Sequence, residues 1–337
     1  MEYRLLGRTG VKVSPLCFGV MMFGHGQFGG GVDVDDASRM LQVAFDAGIN
    51  FIDTANVYSR GQSEEILGEA LKRSGQRSRV VLATKVHFPM ADDDPNMGGT
   101  SRRHVIEQCH ASLKRLQTDY IDLYQLHRPR TDTPIDETLR ALDDLVRDGK
   151  VRYIGTSTYA AWQFVESLWV SKEYGLNRFV TEQPPYNILD RRIERELLPM
   201  AQNYGVAILP WSPLAGGLLA GKYKRGKDAP EGSRYALRPR PERTPEGIYD
   251  VIEGLDPLAA NKGCTVAQFA LAWAMGQPNI TSPIIGPRTL EQLEDNLGAL
   301  QVSLDDSDRE AVDTLVPPGT NVSLYYESNF GAGEFRW

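Results

Sequence analysis

Four side chains in this sequence have the types and spacing to move a proton: Asp53, Tyr58, Lys85 and His127. The run Asn50-Phe51-Ile52-Asp53-Thr54-Ala55-Asn56-Val57-Tyr58 stops an apolar stretch on a carboxylate and places a phenol five positions later. A free phenol titrates near ~10 and is a poor acid at neutral pH, so a second group has to make this one useful. Lys85 closes the apolar run Val81-Leu82-Ala83-Thr84. An ammonium held beside the Tyr58 hydroxyl stabilises the phenolate, and Asp53 keeps that ammonium charged and oriented. His127 follows Leu123-Tyr124-Gln125-Leu126. From there it could donate a hydrogen bond to the same substrate oxygen, fixing a carbonyl and stabilising an alkoxide.

Those four positions are strand tips in a repeating pattern. Short apolar runs at 16–19, 51–54, 80–86, 120–126, 151–156, 179–181, 206–211 and 280–286 read as eight strands. Between and after them, amphipathic segments at 37–47, 64–73, 102–116, 135–147, 161–174, 194–203, 265–275 and 290–300 read as eight helices. Apolar strands alternating with helices indicate a parallel sheet covered by helices, and eight units favour a closed (β/α)8 TIM barrel spanning residues 1–337 as a single domain. A hairpin over 3–14 precedes the barrel, an extra helix is expected at 245–262, and a capped helix at 303–315 follows. A tail carrying Tyr325, Tyr326, Phe330, Phe335 and Trp337 is expected to pack near the barrel mouth or against a second copy in a homo-oligomer. The segment 215–245, rich in Gly, Pro, Lys and Arg, is too long for an ordinary connection and reads as a functional loop.

In such a barrel, chemistry sits at the carboxyl ends of the strands. Those ends carry Asp53, Lys85, His127, Ser157 and Thr158, Gln183, Trp211 and Ser212, and Gly286 with Arg288, which would converge on one rim. Glu182 is also there, and a buried ion pair is its expected role.

Composition narrows the class. A net charge of -7 argues against nucleic-acid binding and an anionic membrane surface, while 41% hydrophobic content supports a large core. Cys17, Cys109 and Cys264 are scattered and fit reduced core thiols of a cytoplasmic protein, so the sequons at Asn279 and Asn321 count as chance. No apolar run reaches the ~18 residues of a membrane span. His104 and His110 face different sides of one helix, and His25 and His87 lack ligand-spaced partners, so no metal is expected. Gly24-His25-Gly26-Gln27-Phe28-Gly29 spells GxGxxG, but Gly30 to Asp33 separate it from the next helix. The dinucleotide fingerprint needs its glycines to lead directly into a helix, so this stretch reads as a loop bordering the site.

Taken together, Gly48 to Tyr58 and Ala83-Thr84-Lys85 resemble the first signature and the lysine motif of the aldo-keto reductases. The resemblance covers nearly the whole chain and implies Asp53, Tyr58, Lys85 and His127 as the catalytic four, Tyr58 being the general acid. It also implies NAD(P)H bound across the barrel mouth, reducing an aldehyde or ketone. Trp211-Ser212-Pro213-Leu214-Ala215-Gly216-Gly217-Leu218 with Gly221-Lys222-Tyr223 resembles the cofactor loop of a long-loop bacterial branch related to potassium-channel β subunits. By that likeness Trp211 stacks on the nicotinamide, Ser212, Pro213, Leu214 and Gly216 clasp the pyrophosphate, and Ser157, Thr158 and Gln183 hold the carboxamide. The stretch Gly286 to Asn296 is similar to the adenosine site, with Gln292, Asp295 and Asn296 on the adenine side. Arg288, Lys222 and Arg234 then lie near a 2′-phosphate, favouring NADPH over NADH. His127 stands where the channel subunits carry Asn, which favours a working reductase over the alternative, a redox-sensing NADP(H)-binding interaction protein. The pocket for the small carbonyl substrate would be lined by Met22, Phe23, His25, Phe88, the 215–245 loop and the tail.

Overall fold

The computed structural model describes residues 1–26, 30–237, 239 and 244–322. The aromatic tail and positions 27–29 of the glycine-rich loop lie outside the described residues, as does part of the 215–245 loop.

Two short strands, β1 (Arg4–Leu5) and β2 (Lys12–Val13), form the expected antiparallel hairpin. The strands β3 (Cys17–Gly19), β4 (Phe51–Asp53), β5 (Val81–Val86), β6 (Ile121–Leu126), β7 (Val151–Ser157), β8 (Thr181–Gln183), β9 (Ala207–Ile208) and β10 (Ile284–Ile285) form one eight-stranded sheet. Every pairing in it is parallel and the order is β10-β3-β4-β5-β6-β7-β8-β9. The two outermost strands meet as well: Thr281 N–H donates to Ile208 O at 2.9 Å and Ile284 N–H to Pro210 O at 2.8 Å. The sheet is thereby curled on itself as a (β/α)8 fold requires.

Helices α1 (Val34–Asp46), α2 (Gln62–Ser74), α3 (Arg102–Arg115), α4 (Ile135–Arg147), α5 (Ala161–Tyr174), α6 (Leu197–Tyr204), α7 (Arg234–Leu237), α8 (Gly247–Asn261), α9 (Val266–Gly276), α10 (Leu290–Gly298) and α11 (Asp306–Leu315) follow in chain order. Their starts are chemical: Asp33, Ser101, Thr265, Thr289 and Asp305 each accept a backbone N–H of the first turn.

Several boundaries differ from the sequence reading: β9 and β10 are shorter than the runs 206–211 and 280–286, and two further shifts have a clear cause. β8 begins at Thr181, because its register against β7 pairs Gly155 with Thr181 and Ser157 with Gln183. Glu182 and Gln183 therefore sit inside the strand, where polar side chains had suggested its end. α6 begins at Leu197, after a separate turn at Arg192–Glu194. Pro199, which has no N–H to donate, is tolerated only in the first turn.

The barrel axis is filled in layers. Leu6, Val13, Cys17, Phe51, Ala83, Leu123, Ala207, Leu209 and Ile284 form one buried apolar cluster, with the hairpin residues plugging the amino-terminal end. Side chains on one face of a strand recur every second residue. The position two beyond Phe51 is Asp53, beyond Ala83 is Lys85, and beyond Leu123 is Gln125. The next layer up the axis is consequently polar, and it opens toward the carboxyl ends of the strands.

Candidate active site at the carboxyl ends of the strands

Asp53, Lys85, Gln125 and Gln183 meet in that polar layer, all buried. Lys85, with no exposed surface, is ion-paired to Asp53, donates to Thr54 O at 2.9 Å and reaches the Tyr58 hydroxyl at 3.4 Å. The other Asp53 oxygen accepts from Gln125 Nε2 and Gln183 Nε2, each at 3.0 Å. Gln183 Nε2 also donates to Gln125 Oε1 at 3.1 Å. Burial alone would depress the Lys85 ammonium, but Asp53 and Tyr58 outweigh it and hold its pKa above the ordinary lysine value. The ammonium is therefore a fixed charge at neutral pH. Gln125 went unremarked in the sequence; the signal was a lone amide inside the apolar run Leu123 to Leu126.

Tyr58 owes its position to a tight turn. Ser59 and Arg60 adopt left-handed backbone conformations, φ 48° and 53°, before Gly61 at 96° turns the chain into α2. Such residues are costly outside glycine and persist only where their surroundings enforce them. Here Ser59 Oγ donates to Phe23 O at 3.2 Å. The ring centres of His127 and Tyr58 lie 5.6 Å apart with their planes at 82°, and those of Phe88 and His127 lie 5.0 Å apart, also edge to face. Burial first, then the charges of Arg128 and Lys85, hold His127 well below the usual histidine range, so it is neutral. Its Nδ1 is buried without a hydrogen-bond partner among the described residues.

The neighbouring rim is braced by Glu182. It is fully buried, accepts from the Thr156 hydroxyl and takes Tyr159 N–H at 3.0 Å. Burial pushes its carboxyl up to about 8. An ion pair was expected of it; its bonds instead tie the end of β7 to β8, with the Arg128 charge a lesser influence. That brace supports Ser157, whose Oγ donates to Gln183 O at 2.9 Å, and Thr158, at φ 62°. Arg128 donates to Thr158 Oγ1 at 3.2 Å, and its guanidinium lies 5.9 Å from the Trp211 ring centre.

Beyond Trp211 the backbone turns sharply through Ser212 (φ 53°), Ala215 (φ 50°) and Gly216 (φ 66°), with Pro213 buried and Leu214 half-buried. Three cations gather where this loop meets the end of the sheet. Burial, then repulsion from Arg288 and Arg234, lowers the Lys222 pKa. Arg288 donates to Gly232 O at 3.2 Å, and its backbone N–H donates to Gln292 Oε1 at 2.9 Å. Gly286 follows β10 directly. Asn296 is buried, and Asp295 Oδ1 accepts from Thr265 Oγ1 and Gln268 Nε2 at 3.1 and 3.0 Å, so that oxygen faces the start of α9. Of the expected pocket residues, Phe23 has no exposed surface and packs edge-on against Phe18, which makes it part of the core.

The aldo/keto reductase family model matches residues 15–317. A protein of Bacillus subtilis named as the uncharacterized oxidoreductase YrpG is 42% identical over 330 residues, 95% of this chain and 97% of its own length. A probable voltage-gated potassium channel subunit beta of Oryza sativa subsp. japonica is 40% identical over 308 residues, covering 90% of this chain and 92% of its own. A versiconal hemiacetal acetate reductase of Aspergillus parasiticus is 37% identical over 328 residues, 90% of this chain and 94% of its own.

Proposed function

The chain belongs to the aldo/keto reductase family of oxidoreductases, and from that premise we propose that it reduces an aldehyde or ketone to the alcohol with NADPH as reductant and Tyr58 as proton donor. The observation that carries this reading is the Tyr58 hydroxyl 3.4 Å from a buried ammonium that Asp53 holds in place.

The residues present fit the cofactor. Arg234 and Arg288 both repel Lys222, and a 2′-phosphate would relieve that repulsion while accepting paired guanidinium bonds. Trp211, with the turn through Ser212, Pro213, Leu214 and Gly216, would flank the nicotinamide and pyrophosphate. Ser157, Thr158 and Gln183 would meet the carboxamide. Gly286, Gln292, Asn296 and the second oxygen of Asp295 would face the adenosine. When bound, NADPH supplies the hydride.

The rest of the chemistry belongs to the side chains. The substrate oxygen lies between Tyr58 and His127, and Tyr58 gives it the phenolic proton. Lys85 stabilises the phenolate left behind through its charge, which acts across 3.4 Å in a buried setting where it is weakly screened. His127, being neutral, can donate one ring N–H to the same oxygen without adding a charge. Gln125 and Gln183 hold Asp53 so that Lys85 cannot swing away.

Mixing the purified protein with NADPH, or separately NADH, and a panel of small aldehydes and diketones tests the reading by loss of reduced-cofactor absorbance. Turnover with a preference for NADPH is expected. No turnover of any panel member, with NADPH bound, would overturn it. That result would favour the second reading, suggested by the 40% identity to the rice protein: a redox-sensing interaction subunit. It predicts tight NADP(H) binding and a stable ring oligomer by light scattering.

A further inference from the structure

The opposite end of the barrel carries an unassigned cavity of about 480 Å³ beneath the hairpin turn, lined by Arg8, Arg152, Arg178 and Tyr153 among others and by no carboxylate. Guanidiniums elsewhere in this acidic chain mostly meet carboxylates: Arg77, Arg115, Arg147 and Arg191 each bridge an Asp or Glu within 3 Å. These three do not. Among the described residues Arg8 makes no hydrogen bond or ion pair, and Arg178 bonds only to carbonyls, Phe179 O at 3.3 Å and Tyr204 O at 3.0 Å. Arg152 lies over the Tyr120 ring at 4.7 Å, and the nearby carboxylate of Asp122 is bridged to Arg77 at 2.9 Å.

The placement of Arg8 is built in. At Gly7 (φ 59°) a Cβ would come within 2.7 Å of Val180 O, so the hairpin turn sits directly on the strand beginnings. At Gly205 (φ 65°) a Cβ would strike the Arg8 stem at 2.3 Å, so Arg8 lies flat across the end of α6, beside Arg178. Burial and then the Arg8 charge lower the Arg178 pKa, as expected of two cations held together without an anion. The volume lies within the ~300–1,000 Å³ of small-molecule sites, larger than a bare phosphate needs.

We propose that this cavity at the amino-terminal end of the barrel is a binding site for a small phosphate ester, its phosphoryl group held by Arg8 and Arg178, with Arg152 at the cavity edge. Guanidinium forks match phosphate oxygens in pairs, and the half-buried Tyr153 offers an adjoining surface for the organic part. The site is remote from the Tyr58 end and independent of the function proposed for it.

Calorimetric titration of the full chain with inorganic phosphate and with fructose 1,6-bisphosphate, in excess NADPH so that the cationic corner at the other end is occupied, tests this. Both should bind, the ester at least about tenfold more tightly. Arg8→Gln and Arg178→Gln should each weaken the ester by about tenfold or more. The double variant should show no binding, whereas Arg103→Gln, exposed on α3 and outside both sites, should bind as the wild type does. Arg8 is exposed, so its variant keeps the fold, which melting temperature checks. No saturable binding of either probe overturns the proposal, as does wild-type binding by a folded double variant or loss on Arg103→Gln. Equal affinity for the two probes overturns the ester and leaves a site for free phosphate.

Discussion

Replacing Tyr58 by Phe removes one oxygen and little else. Lys85 has three N–H donors, and two remain satisfied by Asp53 and Thr54 O after the change. The lost contact is the 3.4 Å bond from Lys85, at the long end of the range, so the stability cost should not exceed ~1 kcal/mol. Catalysis is a different matter. A positioned general acid is worth ~10² to 10⁴ in rate, or about 2.7 to 5.4 kcal/mol of barrier. Tyr58→Phe should therefore lose that factor in turnover, followed by NADPH absorbance, while its melting temperature and NADPH affinity, read by fluorescence titration, stay near wild type. A folded, cofactor-binding variant that keeps turnover within about tenfold of wild type would refute the role given to Tyr58.

Three further outcomes follow from the same geometry. His127 is held neutral by burial and neighbouring cations, so its role is donation. His127→Gln, which keeps a donor, should retain more kcat than His127→Ala, expected to fall about 10² to 10³-fold in steady-state assays. Equal losses would count against donation. Arg288→Gln should weaken NADPH by about tenfold or more while leaving NADH nearly unchanged, measured by direct titration; parallel losses would remove the arginine from the 2′-phosphate. Glu182 titrates near about 8 in the fold and near 4.5 when unfolded, so between those values the folded state holds the extra proton. Its contribution to stability falls as pH rises through that window. Glu182→Gln should flatten the fall, as read from urea midpoints at about pH 5 and about pH 8; an unchanged slope would show that Glu182 does not cause it.

Much of this protein is written locally. Strand tips that end on Asp53, Lys85 and His127 stand out because an apolar run stops at a polar group, and the alternation of such runs with amphipathic segments fixes the fold class. Period and polarity are short-range properties, so a single sequence displays them. The cationic corner is different: Lys222, Arg234 and Arg288 lie in separate loops, and only the family resemblance linked them.

The Asp53, Lys85 and Tyr58 contacts were expected, but which further inward-facing groups join them the sequence could not decide. Gln125 looked like one polar residue in a core strand, yet register across three strands sets it against Asp53 and makes it part of the cluster that holds Lys85. Glu182 has the composition of an ion-pair partner, but the pairing of β7 with β8 delivers a hydroxyl and a backbone N–H to it instead. Phe23 has the look of a pocket residue until the chain folds it onto Phe18. The three arginines at the amino-terminal end come from a hairpin, the start of β7 and the approach to β8. Nothing in their spacing predicts that they share one cavity. Strand register and barrel closure act between residues tens to hundreds of positions apart, and it is there that tertiary structure alone set Gln125 and Gln183 against Asp53.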